Sequence, residues 1–197
     1  MKNKKHITIP MKTDLNGVTE KNEEKLLKSE DILKKVLEKI EKIDFFQKAN
    51  IKNSDKKLMR HHYLVIVVEE LLKIVEKNQW GLAVKNGVIY LFNKEYWSII
   101  NSKEFQYFLV EVSIKMGVDN VMSKYYSFGD DLIKQFYALA RPPEVVDFKG
   151  VKINLLNGTY VFTEKKSELK VFEKADFLTY KLPFEFNPNA TTPLFSK

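Results

Sequence analysis

The residues best suited to chemistry in this chain are basic and aromatic. Lys52, Lys56, Lys57 and Arg60 cluster around an expected helix start, where unpaired backbone N–H groups add to their affinity for phosphate. Lys124-Tyr125-Tyr126 places a cation beside rings able to stack on bases, and Lys134 and Arg141 follow at later turns of a helix. Phosphate-spaced cations with some stacking surface are all that sequence-tolerant nucleic-acid binding needs. A lysine run also serves as an ordinary solvated face, and Tyr125 and Tyr126 suit a core or capping role equally well. Both readings of each cluster stand at this point.

Other chemistry is thin. There is no G-x-x-x-x-G-K-[ST] phosphate loop, no G-x-G-x-x-G, no H-E-x-x-H and no G-x-S-x-G. His61 and His62 point about 100° apart on a helix and cannot clasp one metal together. Asp130-Asp131 reads as a pair of acids in a helix's first turn, where they favour the dipole. Glu69-Glu70, inside an apolar helix, is read as one carboxylate in solvent and one paired with a lysine. With no cysteine, disulfides, thiolate metal sites and thiol nucleophiles are excluded. No catalytic residue, metal or cofactor is assigned.

Composition bounds the rest. The 197 residues are 44% hydrophobic and 13% aromatic, enough for a core. No apolar run approaches the roughly 18 residues of a membrane span, and the N-terminus lacks the apolar stretch of a signal peptide. A cytoplasmic protein is the expectation. The net charge of +7 is concentrated: residues 1–60 carry 16 Lys+Arg against 10 Asp+Glu.

The elements that must position these residues are legible from periodicity. Residues 1–18 read as a disordered basic arm. From Ser29, Ile32, Leu33, Val36, Leu37, Ile40 and Ile43 form one helical stripe. Ser54 is expected to open a second, buried helix, ended by Trp80-Gly81. Asn86-Gly87 between apolar runs predicts a hairpin. Asn101-Ser102 then caps a helix whose Phe105, Phe108, Leu109, Val112 and Met116 share a face, with Gly117 as its stop. A last helix spans about Asp130 to Ala140, ended by Arg141-Pro142-Pro143.

Beyond it, Val151 to Phe162 predicts a second hairpin about Asn157-Gly158, and Val171 to Leu182 is again β-prone. Pro183, Pro188 and Pro193 then forbid helix and central strand alike. The expected fold is α+β: a helical lobe with a hairpin over 19–142, winged-helix-like in one form, then a small antiparallel β-rich lobe over 143–186 and an extended connector over 187–197. No internal repeat beyond the two Asn-Gly hairpins is visible.

Two stretches resemble a known family. N-L-L-N-G-T-Y-V-F, the segment T-Y-K-L-P-F-E-F and the exit N-P-N-A-T-T-P-L-F are similar to the end of the domain preceding the superfamily III helicase in phage, plasmid and poxvirus-type primase-helicases. Val88 to Gly117, with Y-L-F-N-K-E-Y-W-S-I-I-N-S-K-E-F-Q-Y-F-L, resembles that family's run of strand, tryptophan and helix. The resemblance covers about half the chain and rests mostly on structural residues. It implies an accessory domain of mobile-element DNA replication that helps an ATPase ring assemble on and engage single-stranded or origin DNA. The ATPase would lie C-terminal to residue 197 in the parent protein, homo-oligomers are compatible with the role, and the chain itself would not be an enzyme. The rival expectations are a free-standing winged-helix-like DNA-binding regulator, with the helix from Ser102 and the hairpin from Leu82 as its reader, and a protein–protein interaction module.

Overall fold

Apolar periodicity and turn chemistry together account for most of the elements in the computed structural model, which describes residues 28–51, 57–144 and 148–191. The chain runs through α1 (Ser29–Glu38), α2 (Phe45–Lys48), α3 (Arg60–Lys77), β1 (Gly81–Lys85), β2 (Val88–Phe92), β3 (Trp97–Ile100), α4 (Ser102–Met116), α5 (Asn120–Lys124), α6 (Tyr126–Leu139), β4 (Val151–Leu155), β5 (Gly158–Phe162) and β6 (Ser167–Lys170). The fold is α+β, with two separate three-stranded antiparallel sheets in the orders β1-β2-β3 and β4-β5-β6.

The best-forecast element is α4. The Asn101 side chain accepts hydrogen bonds from the backbone N–H groups of Lys103 and Glu104, and Gly117 closes the helix at φ 103°. Its five forecast apolar residues are all buried, among α1, α3 and α6. One face of the first sheet (Leu82, Ile89, Leu91 and Ile100) completes this core. The sheet's other face carries Ala83, Phe92 and Trp97 and is covered by Phe177, whose ring stacks on Trp97 at 4.8 Å. The Trp97 indole N–H donates to the Lys174 carbonyl, and Trp97 N–H to the Leu178 carbonyl.

Several boundaries differ from expectation. The stripe from Ser29 is helical only to Glu38, so Ile40 and Ile43 pack from the following loop. Ser54 itself lies outside the described residues, but it does not open the long helix: Lys57, Leu58 and Met59 are not helical, Met59 is the extended N-cap, and the helix begins at Arg60. The last helix starts at Tyr126, a full turn before Asp130. Val171 to Leu182 forms no ladder strand. It holds a 3-10 turn at Lys174–Asp176, and then the chain runs alongside β4, with Leu182 N–H on the Asn154 carbonyl and Leu156 N–H on the Phe184 carbonyl. Its β-prone residues satisfy an edge rather than build a sheet. The basic arm at 1–18 and residues 192–197 of the connector fall outside the described residues.

The two sheets share strand order and register. Every strand pairing of the second is a pairing of the first shifted by 70 residues: Gly81↔Phe92 and Val151↔Phe162, Lys85↔Val88 and Leu155↔Gly158, Phe92↔Trp97 and Phe162↔Ser167. The turns before β3 and β6 match too, closed by Asn93 N–H on the Tyr96 carbonyl and by Thr163 N–H on the Lys166 carbonyl. The repeat was hidden because the Asn-Gly dipeptides do not superpose. Asn86 and Gly87 are the turn residues of the first hairpin, at φ 52° and 75°. In the second the turn is Leu156-Asn157, and Gly158 is already the first residue of β5.

Gly158 has a different job from Gly87. A Cβ on Gly158 would meet the Lys170 carbonyl oxygen at 2.4 Å, at a φ of 147°, whereas one on Gly87 would meet nothing within 4 Å. Gly87→Ala is therefore expected to cost about 1 kcal/mol of left-handed strain. Gly158→Ala should cost at least about twice that, because β6 must also move. Urea unfolding of the two variants checks the order.

Candidate nucleic-acid interface

Helices α3 and α6 pack through the apolar core, and an arginine joins their N-terminal ends. Arg60, in the first turn of α3, bonds the Ser127 hydroxyl at 2.8 Å and the Asp131 carboxylate at 2.8 Å, while its guanidinium lies 5.5 Å from the Phe128 ring centroid. Its Nε is buried without a partner. Both helices thus present their N-terminal ends on the same side of the molecule.

Around that end the structure gathers three of the expected cations. Lys57 is exposed just ahead of α3, Lys124 is exposed at the end of α5, and Lys134 projects from α6 with 76% of its side chain in solvent. Lys134 stands 4.0 Å from Asp131, too far for a firm pair once Arg60 holds that carboxylate more closely. Tyr125 and Tyr126 are neither core nor side-chain caps, as they are 55% and 74% exposed with rings 4.9 Å apart. Met59 and Val121 add exposed apolar surface. Lys52 and Lys56 lie outside the described residues.

Two expected contacts stand apart. Arg60 is committed to holding helices together. Arg141 lies past the far end of α6, about 20 Å along its axis from that cluster, beside a cleft lined by Leu72, Val75, Leu82, Trp97 and Lys174.

The acidic pairs resolve into structural roles. Asp130 and Asp131 are not first-turn acids; Asp130 accepts from Gln106 Nε2 at 2.6 Å, tying α6 to α4. Glu69 faces solvent, while Glu70 accepts from both Lys48 and Lys73 at 2.8 Å. Burial disfavours the Glu70 carboxylate, yet the hydrogen bonds from Lys48 and Lys73 outweigh it and hold the carboxyl below its ordinary value of 4.5. His62 Nδ1 accepts from the Met59 N–H, so this histidine caps its own helix. Among the described residues no three His, Cys, Asp or Glu stand where one metal could be held, and no described helix is long and apolar enough to cross a membrane.

The solvent face of α4, the would-be reading helix of a winged module, carries Lys103 and Lys115 against Glu104 and Glu111. It has no positive surplus to offer phosphates. No family model matches the chain, and no curated protein is similar to it.

Tyr126 was visible in the sequence beside Tyr125, but nothing there set its exposure. Asp131, which recruits Arg60 and leaves Lys134 loosely held, could not be found from spacing, since the contact joins residues 71 apart.

Two measurements follow. Arg60→Ala should destabilise the fold by about 1–2 kcal/mol, through the lost hydrogen bond to Ser127 and the lost packing on the Phe128 ring rather than through the half-exposed ion pair; Lys57→Ala should be nearly silent in the same denaturation assay. Because Glu70 has a depressed carboxyl pKa in the fold, its contribution is present above about pH 4.5 and is lost as pH falls through the folded value. The stability gap between the native chain and Glu70→Gln should therefore be widest near neutrality and shrink below pH 4.5.

Proposed function

We propose that this chain is the DNA-engaging accessory domain of a mobile-element replication primase-helicase, placed before a superfamily III ATPase and helping it load on DNA. The observation that carries the DNA contact is the grouping of exposed Lys57, Lys124, Tyr125 and Tyr126 at the N-terminal ends of α3 and α6, with Lys134 exposed two turns further along α6. Cations and helix dipoles of one sign there attract phosphate, and the tyrosine rings offer surface to bases. The assignment to replication is supported by the resemblance of Val88–Gly117 and of the chain from Val151 onward. In this reading the chain hydrolyses nothing, and its cytoplasmic setting follows from that of the DNA.

Its contacts act through counterion release, so affinity falls with salt at a log-log slope of about −0.7 to −0.9 per phosphate neutralised. Changing Lys57, Lys124 and Lys134 together to Ala should flatten the slope by about 2 to 3 units without altering the melting temperature. Fluorescence anisotropy across a salt series checks it. An unchanged slope, or no binding of single-stranded or duplex DNA at low salt, would overturn the proposal.

A further inference from the structure

The second sheet is turned inside out. Side chains alternate along its strands, so Val151, Ile153, Leu155, Tyr160, Phe162 and Leu169 share one face, and Lys152, Asn154, Thr159, Val161, Glu168 and Lys170 the other. The polar face is the one against the body of the protein. Asn154 and Thr159 are 0% and 1% exposed, and Asn154 Nδ2 donates to the Glu95 and Tyr180 carbonyls while its Oδ1 accepts from the Thr159 hydroxyl. Lys152 pairs with Asp176 there. On the apolar face Leu155 is buried and Ile153 and Tyr160 are half-buried, but Val151 and Phe162 are left in solvent, 54% and 55% exposed and lying opposite each other across β4 and β5.

The 70-residue repeat shows what this face lacks. In the first sheet the equivalent face is covered over Phe92 and Trp97, though Ile99 on it stays exposed: Phe177 meets Tyr90 edge-on at 5.3 Å and stacks on Trp97. In the second, Phe186 takes the part of Phe177 and stacks on Tyr160, the counterpart of Tyr90, at 4.7 Å and 24°. The cover then stops, because Ser167 stands where the first sheet has Trp97. Beside the Tyr160–Phe186 stack, the Phe162 ring has no aromatic neighbour among the described residues.

The geometry points to this face as a base-stacking platform for single-stranded nucleic acid, an inference that rests on the DNA-binding reading above and adds a second contact to it. Exposed rings on an antiparallel sheet offer every base a π-face without reading its sequence. Charge favours this occupant over an apolar protein surface. Lys149, Lys165 and Lys166 are exposed next to the strand ends that carry Val151 and Phe162, against Glu164, while Lys152 is held by Asp176 on the other face and Glu168 there is shared by Lys166 and Lys170. Phosphates would meet that rim while bases lie over Phe162.

The test separates bases from phosphates. The full chain is titrated, at low salt, into labelled oligothymidylate of about 15 nucleotides, near the upper end of single-module site sizes, and into an abasic oligomer of the same length. The native chain should prefer the base-bearing strand by roughly five- to a hundredfold, the scale of stacking one or more bases. Phe162→Ala and Phe162→Leu should erase that preference, Phe162→Trp should keep it, and none of the three should change the salt slope. Since Phe162 is exposed, the variants should melt with the native chain. Equal affinity for the two strands, with a slope that the Lys57, Lys124 and Lys134 variant still flattens, would overturn the platform and leave the phosphate contacts standing. No binding of either strand would overturn both. Sedimentation velocity showing native self-association lost in Phe162→Ala would also overturn the platform and assign the face to a second copy of the chain.

Discussion

A three-stranded sheet with apolar side chains on both faces cannot leave either face in water, and this constraint organises the molecule. Leu82, Ile89, Leu91 and Ile100 point into the helices; Ala83, Phe92 and Trp97 point away from them. Fully burying side chains of this size is worth about 1.5–3 kcal/mol each, so the outer face demands a cover that the helical part does not supply. The chain supplies it from 80 residues away, returning after the second sheet to lay Phe177 on Trp97. Phe177 accepts a left-handed backbone at φ 47° to do so, a strain of about 1–2 kcal/mol that ring stacking and burial offset. The ion pairs Lys174–Glu76 and Lys181–Glu95 pin the returning segment on either side. The second sheet then packs where that segment leads it, with its polar face inward because Asn154 must meet the carbonyls of Glu95 and Tyr180.

What the sequence disclosed and what it hid divide along the same line. Wherever the deciding interaction was local, the reading was good: the Asn101 cap and Gly117 stop bounded α4, Asn86-Gly87 made the first hairpin turn, and Glu70 found lysines as expected. Wherever the deciding partner was remote, it failed. Asp130-Asp131 looked like the start of a helix, but its hydrogen bonds run to Gln106 and Arg60 on other elements. Asn157-Gly158 looked like a turn, but Gly158 is glycine because the Lys170 carbonyl approaches it. Residues 171–182 had strand composition and became a strap, since only the uncovered Trp97 face determines where they go. Of the site, Lys57, Lys124, Tyr125 and Lys134 were all named from sequence; that Arg60 belongs to the scaffold and Arg141 to the opposite end required the helix pairing.

The Arg60–Asp131 pair gives the candidate interface its form. Each partner is 38% exposed, so the ion pair alone contributes little; its effect is orientational, because the same guanidinium also reaches Ser127 and the Phe128 ring. Two parallel helices with coincident N-termini concentrate positive potential at one end, where an antiparallel pair would cancel it. With Asp131 engaged by Arg60, Lys134 is left loosely held and extends into solvent.

Two meanders of one register present differently charged surfaces because their surroundings differ. Both meanders keep the same register and the same tyrosine under a phenylalanine from the connector, Tyr90 under Phe177 and Tyr160 under Phe186. The first copy lies against helices, so its inward face became Leu82, Ile89, Leu91 and Ile100. The second lies against a polar strap, and the matching positions became Lys152, Thr159, Val161 and Lys170. Folding alone would favour a polar outer face on a peripheral sheet, yet Val151 and Phe162 remain there in solvent. Lying opposite each other, the two side chains form a cross-strand pair of the aromatic and β-branched kind that steadies the β4–β5 ladder, so their apolar contact holds the sheet edge together even though both stay in water.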